Sequence, residues 1–281
     1  MHHFNALFDA APEQSPEERS LSARQSADPQ NDDWAALWAR FDSPQEISDV
    51  YARMETNPRQ NQLPERSLIR YKQLVNASAQ ILVNRYPNQI IPMEWLQRIW
   101  NFLDAISRRS SYLALLIEYP KALERLVELL ASSRFVADYL TAHPILLDEL
   151  LNVEQLHRAP DWPALKTHLN QLLNHAKHHD GKPDVERQMD ILRENHHSQV
   201  FRLLVQELDG LWTVEQLADH LSDLTDVMLD AAVYHCWDAF AKKHRDVPKF
   251  AIIAYGKLGG KEMGYASDLD LVFVFDDPAQ E

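Results

Sequence analysis

The chain has 281 residues, enough for one large domain or two ordinary ones with a proper core. With 45% apolar and 25% charged residues it is globular in composition, and it shows neither a run approaching the ~18 apolar residues of a membrane span nor a charged-then-apolar export signal. A formal charge of −14 argues against a nucleic-acid partner, and the single cysteine, Cys236, excludes an internal disulfide, so the cytoplasm is the expected compartment.

Residues 1–30 are polar, rich in Ser, Gln, Pro and Glu, and lack steady periodicity; we expect a largely disordered segment over 1–43. Within it, 32–41 has the pattern of a short amphipathic helix through Trp34, Leu37, Trp38 and Phe41, and Trp34 and Trp38 could dock onto a further domain. From 44 to 245 the pattern predicts an all-helical region. Helix-period apolar spacing runs through Leu68, Tyr71, Leu74, Val75, Ile81 and Leu82, narrowed but not broken by Ser78. Met93 to Ile106 continues it with Trp95, Leu96, Ile99, Trp100 and Leu103. Pro120 and Pro144 each suit the first turn of a following helix, and Ser133 is placed to cap the helix between them. Longer helices are expected at about 162–177, 184–209 and 214–243.

The pattern changes at Asp246-Val247-Pro248, where a third region, 246–281, begins. Phe250 to Tyr255 reads as a buried strand, and Leu269 to Phe275 as a second. Of only six glycines in the chain, Gly256, Gly259, Gly260 and Gly264 crowd between these strands. Glycines so gathered mark a backbone that a side chain would obstruct. The fold class expected is therefore mainly α, a helical bundle-like region followed by the first strands of an α/β domain that is incomplete.

The chemistry lies in this last stretch. Alternation along a strand puts Asp268 and Asp270 on one face, roughly 6.5–7 Å apart. Two carboxylates so placed can hold Mg²⁺ together with substrate phosphates, and metal ions there stabilise in-line displacement at phosphorus. Gly259 and Gly260 would let the backbone approach a triphosphate such as that of ATP, and a short helix at about 261–266 would aim N–H groups at it. Lys257 or Lys261 would add charge, and Ser267 a hydrogen bond. Two commoner phosphate motifs fail. A P-loop needs four residues between its first glycine and Gly-Lys, but Gly256 to Gly260-Lys261 has three and Glu262 follows. No two glycines have the first spacing of the dinucleotide fingerprint.

Elsewhere plainer readings hold. His175, His178 and His179 have metal-ligand spacing but end a helix before Asp180-Gly181-Lys182-Pro183, which favours a solvated helix end. Trp95, Trp100, Trp212 and Trp237 fit core positions, and Cys236 a buried packing role. Glu118, Glu124, Glu128, Asp148 and Glu149 read as exposed helix faces.

The segment Tyr255-Gly-Lys-Leu-Gly-Gly-Lys-Glu-Met-Gly-Tyr-Ala-Ser-Asp-Leu-Asp-Leu-Val-Phe273 resembles the glutamine synthetase adenylyltransferase/adenylyl-removing family of polymerase β-like nucleotidyltransferases. The resemblance extends upstream through Ile106 to Pro120 and His143 to Leu151, covering about 95–281. It implies two catalytic domains flanking a helical region in the family. The first removes AMP from glutamine synthetase by phosphorolysis, and the second adds it from ATP to a tyrosine hydroxyl. The wording here is similar to the second. By resemblance, Gly259, Gly260 and Ser267 would hold the triphosphate, and Asp268 and Asp270 would hold Mg²⁺. A PII-type signalling protein is a further partner the resemblance suggests for the helices. The family's third carboxylate, in an Asp-x-Arg-Leu-Arg-Pro motif, has no counterpart here, and Asp276 and Asp277 are poor substitutes: six residues of strand carry Asp276 about 20 Å past Asp270. A fragment with little activity alone is therefore expected. A non-catalytic helical module binding nitrogen-signalling partners is the alternative. A polymerase β-like transferase acting on RNA or an antibiotic is less consistent with the charge and the upstream resemblance.

Overall fold

A computed structural model describes residues 36–47 and 63–276; the stretch 1–30, Trp34 and Asp277 lie outside the described residues. The chain divides into two compact units, Met1–Pro144 and Ile145–Glu281.

In the first unit, α1 (Glu65–Arg85) and α2 (Met93–Ile106) follow the apolar spacing of the sequence. Tyr71, Leu74, Val75 and Leu82 of α1 are buried, as are Leu96, Ile99, Trp100 and Leu103 of α2. Ser78 is buried on the same face because its hydroxyl donates to the Leu74 carbonyl at 2.7 Å, which satisfies the polar group inside the helix. Three shorter helices follow: α3 (Ser110–Glu118), α4 (Pro120–Ser132) and α5 (Arg134–Ala142). Pro120 stands in the first turn of α4, where its missing N–H costs nothing. Ser133 caps α5 by accepting the Val136 N–H at 3.3 Å. Helix α1 packs on α2, α3 and α4, and α2 on α4 and α5.

Residues 36–47 belong to this packing. Leu37, Trp38 and Phe41 are buried, so Trp38 is not a free docking residue. Arg40 donates from Nη2 to the carbonyls of Tyr86, Pro87 and Gln89 at 3.0, 2.6 and 3.1 Å. Asp42 accepts the Met93 N–H at 3.0 Å, at the start of α2.

The second unit begins with the short α6 (Leu147–Leu150) and α7 (Val153–Leu156). Three long helices then pack on one another: α8 (Trp162–His175), α9 (Val185–Leu208) and α10 (Val214–Ala239). Each has an N-terminal cap from the side chain before it, Asp161, Asp184 and Thr213, the last in a capping box with Gln216. Leu169, Leu173, Ile191, Val227 and Ala231 form the shared core. Helix α10 stops at Ala239, short of the expected 243; Trp237 Nε1 donates to the Arg245 carbonyl at 3.1 Å and holds the chain as it leaves.

Strands β1 (Phe250–Tyr255) and β2 (Asp270–Phe275) pair antiparallel, from Phe250 opposite Phe275 to Tyr255 opposite Asp270. Among the described residues they form a two-stranded sheet with largely exposed side chains, so β1 is not the buried strand its apolar run predicts. Two surface readings also change. Cys236 is exposed, because it faces outward on α10 while the neighbouring His235 turns inward. Glu118, Glu124 and Asp148 are exposed, but Glu128 and Glu149 are only partly so. Glu128 pairs with Arg85 and Arg125, and Glu149 accepts from Ser198 Oγ at 2.6 Å and Arg202 Nε at 2.7 Å.

Candidate active site

Between the strands the chain makes one helical turn, α11 (Gly256–Gly259), and then an irregular loop to Asp270. The turn lies earlier than the helix expected at 261–266, which is loop instead. The glycines explain the shift. Gly256 has φ +55°, and a Cβ there would collide with the Asp270 carboxylate. A Cβ on Gly259 would lie 2.5 Å from the Ala254 carbonyl oxygen. Both positions thus require glycine for the turn to pack against the hairpin. Leu258, within the turn, and Met263, after it, are buried. Gly260 has an ordinary φ of −84°, and the Lys261 that follows takes a positive φ of 55°.

The segment before the carboxylates is closed on itself. Ser267 Oγ accepts the Gly264 N–H at 2.9 Å, and the Ser267 N–H donates to the Gly264 carbonyl at 3.0 Å. With its oxygen accepting, the hydroxyl proton of Ser267 remains available to a further acceptor. Asp268 lies two residues ahead of β2 and Asp270 is its first residue, so only Asp270 has a strand register, opposite Tyr255. Both carboxylates are exposed and make no hydrogen bond or ion pair among the described residues. Lys257 is exposed on α11, and its carbonyl accepts the Glu262 N–H at 2.8 Å.

Asp276 lies at the other end of the hairpin. Its N–H donates to the Lys249 carbonyl at 3.0 Å and its carboxylate lies 3.5 Å from Lys249 Nζ. It is no third member of the Asp268–Asp270 group. Among the described residues, no three His, Cys, Asp or Glu side chains form a metal-holding cluster. His175 bonds through Nδ1 to the Gln171 carbonyl at 2.6 Å, and His178 Nδ1 lies 3.7 Å from Asp184, as a helix end followed by a turn at Gly181 would have it.

Two contacts of the loop have no counterpart in the sequence reading. Tyr265 Oη donates to Glu207 Oε2 on α9 at 2.7 Å, and Lys261 Nζ lies 3.9 Å from Asp223 on α10. Burial first, and the Glu207 carboxylate next, hold the Tyr265 phenol well above its ordinary pKa. Asp226, beside Asp223, is raised by burial and by that like charge, while Lys261 pulls it back. Partners this far apart in the chain follow no short-range pattern, and only Lys261 stands out beforehand, as a charge in a glycine-rich loop.

A family model described as glutamate-ammonia ligase adenylyltransferase matches residues 123–281. A relative from Aromatoleum aromaticum, named a bifunctional glutamine synthetase adenylyltransferase/adenylyl-removing enzyme, is 57% identical over 190 residues, covering 68% of this chain and 20% of the relative. Relatives of the same name from Ralstonia nicotianae and Chromobacterium violaceum are 48% and 53% identical, over 79% and 69% of this chain and 22% and 21% of their own lengths. The chain spans about a fifth of the length of these relatives.

Proposed function

The chain belongs to the glutamate-ammonia ligase adenylyltransferase family, and from that premise we propose that it carries the opening of a site that transfers AMP from ATP to a tyrosine hydroxyl of glutamine synthetase. The observation that carries this reading is the pair Asp268 and Asp270, exposed and, among the described residues, without a hydrogen-bond or ion-pair partner, at the end of the loop that follows the glycine-built turn. Free carboxylates of this kind are the hard oxygen donors Mg²⁺ takes, so the donor set fits the ion. Mg²⁺, when bound, would offset the charge on the phosphates and the departing pyrophosphate.

The chain's own residues would do the rest. Backbone at Gly259 and Gly260 would lie along the triphosphate, with Lys257 adding charge. The Ser267 hydroxyl would donate to a phosphate oxygen, since its own oxygen already accepts from Gly264. The attacking tyrosine must lose a proton, and a carboxylate of the site is the group to accept it. The fold of the complete domain is then polymerase β-like. The two-stranded sheet with its apolar side chains in view and the absence of an Asp-x-Arg-Leu-Arg-Pro sequence support a division of labour. Residues 44–245 serve as helical regulatory region, and 246–281 begin the transferase domain, with little or no activity alone. Glutamine synthetase is the protein substrate, a PII-type signalling protein is a partner of the helices, and the cytoplasm is the compartment. No helix among the described residues is long and apolar enough to cross a membrane.

The test is transfer of label from α-labelled ATP to glutamine synthetase with Mg²⁺, comparing this chain, an intact enzyme that contains it, and that enzyme with Asp270→Asn. Transfer by the intact enzyme, lost in Asp270→Asn and absent from the short chain, is expected. Equal transfer by Asp270→Asn would refute the site.

A further inference from the structure

Among the described residues, the pairs Lys261–Asp223 and Tyr265–Glu207 tie the loop that presents the carboxylates to the helices of its unit, and the two are unequal. The Lys261–Asp223 pair is 3.9 Å long between exposed groups, a geometry worth little in water. The Tyr265–Glu207 bond is 2.7 Å long, partly buried and charge-assisted, a geometry with real holding power. Its position in the chain gives it meaning. Tyr265 sits inside the turn closed by Gly264 and Ser267, two residues before Ser267 and three before Asp268. On the far side, Asp270 is fixed by its register with Tyr255. Asp268 therefore hangs between two anchors, the sheet on one side and α9 on the other.

We propose that Glu207 is a positioning residue for the carboxylate pair: by holding the Tyr265 hydroxyl it fixes the backbone of Ser267 and Asp268, so that helix α9 sets where Asp268 stands relative to Asp270. The inference rests on the proposed metal role of that pair. Glu207 touches neither substrate nor metal. Without its bond the Gly264–Ser267 turn opens more often, its internal hydrogen bonds with it, and Asp268 samples positions from which it cannot share an ion with Asp270. A site that must be gathered binds its ion more weakly, in proportion to the fraction of time it is assembled.

The experiment compares the chain with its Tyr265→Phe, Glu207→Ala, doubly substituted and Glu207→Gln variants, by amide hydrogen exchange without ligands and by Mn²⁺ binding followed by electron spin resonance. A hydrogen bond to a charged group corresponds to roughly tenfold or more in a local opening equilibrium. Exchange at 264–268 should therefore rise about tenfold in Tyr265→Phe and Glu207→Ala, and no further in the double variant. It should rise less in Glu207→Gln, whose neutral amide oxygen still accepts from the phenol. Mn²⁺ affinity should fall several-fold in the first two and less in Glu207→Gln, while protection of α9 and α10 stays unchanged. Exchange at 264–268 that ignores Tyr265→Phe overturns the proposal. So does loosening that spreads through α9 and α10, or a loosened loop with unaltered Mn²⁺ affinity. Parent binding that Asp270→Asn leaves intact sinks the metal reading itself, an outcome distinct from a loop indifferent to Glu207.

Discussion

Helix α2 and strand β2 are both strongly apolar, yet they treat that surface in opposite ways. Leu96, Ile99, Phe102 and Leu103 of α2 are fully buried, whereas Phe273 and Phe275 of β2 are 58% and 71% exposed. The apolar face of α2 is matched by α1, α4 and α5. The hairpin satisfies its backbone through the strand ladder, but among the described residues most of its side chains stay exposed, with only Ile252, Ala254 and Leu271 half-buried. A near-continuous apolar run is the sequence of a strand covered on both faces, so the hairpin displays a demand for cover that the described surroundings leave unmet. That exposure is the structural support for reading 246–281 as the start of a larger domain.

The largest effect expected is in the helices. Leu103→Ala, at a fully buried position, should cost about 2–5 kcal/mol in urea unfolding, the usual range for a leucine cavity. Phe275→Ser should fall within about 0.5 kcal/mol, as surface substitutions do. A large loss at Phe275 would break the comparison, since it would mean that the hairpin is covered in solution.

A middle-sized effect sharpens the comparison inside the loop. Gly259→Ala forces a Cβ against the Ala254 carbonyl, a backbone atom that cannot swing aside, and should cost about 1–3 kcal/mol. Gly260→Ala meets the Gly256 carbonyl at 3.4 Å and the Glu262 side chain at 3.8 Å, both within ordinary contact, with φ at −84°, and should be nearly neutral. Unfolding of both variants, with exchange at β1 as the local probe, checks the pair. Equal costs would show that crowding against the hairpin is not what demands glycine at 259.

The same contrast explains what the sequence made legible. The helical stripes, the cap at Ser133, Pro120 in a first turn and the limits of β1 follow from local rules of period and capping, and each is observed. The Asp-x-Asp segment after clustered glycines was visible as a motif for the same reason. What local rules did not carry is whatever a distant partner decides. The helical turn moved from 261–266 to 256–259 because Gly256 and Gly259 alone can lie against Asp270 and Ala254. Glu149 left the class of exposed acids because Ser198 and Arg202, about 50 positions away, converge on it. The Tyr265–Glu207 bond follows from no local rule, because its partners lie 58 residues apart in the chain. Alternation would have placed Asp268 on the strand with Asp270, but the strand begins only at Asp270.

The smallest effect probes the buried interior of the second unit through pH. His235 of α10 is buried, its Nε2 lies 3.2 Å from Asn170 Oδ1 on α8, and its ring stands edge-on to Tyr234 at 5.1 Å. Burial pushes the imidazole pKa below the ordinary histidine value, and Asp238 only partly opposes it. In the unfolded chain the ring titrates near its usual value of about 6.5. Between the lowered folded value and that unfolded one, the unfolded chain holds more protons, so stability falls as pH drops through about 6.5 and levels off below the folded pKa. His235→Gln removes this contribution while keeping a donor for Asn170. The urea midpoint of the variant should therefore decline less than the parent's between about pH 7 and 5. His143, His196 and His220 are lowered by burial too and give both proteins a common slope, so the difference between the two curves is the readout. Coincident curves would mean that His235 already meets water in the folded chain, and the tight α8–α10 contact that separates the helices from the open hairpin would not hold at that point.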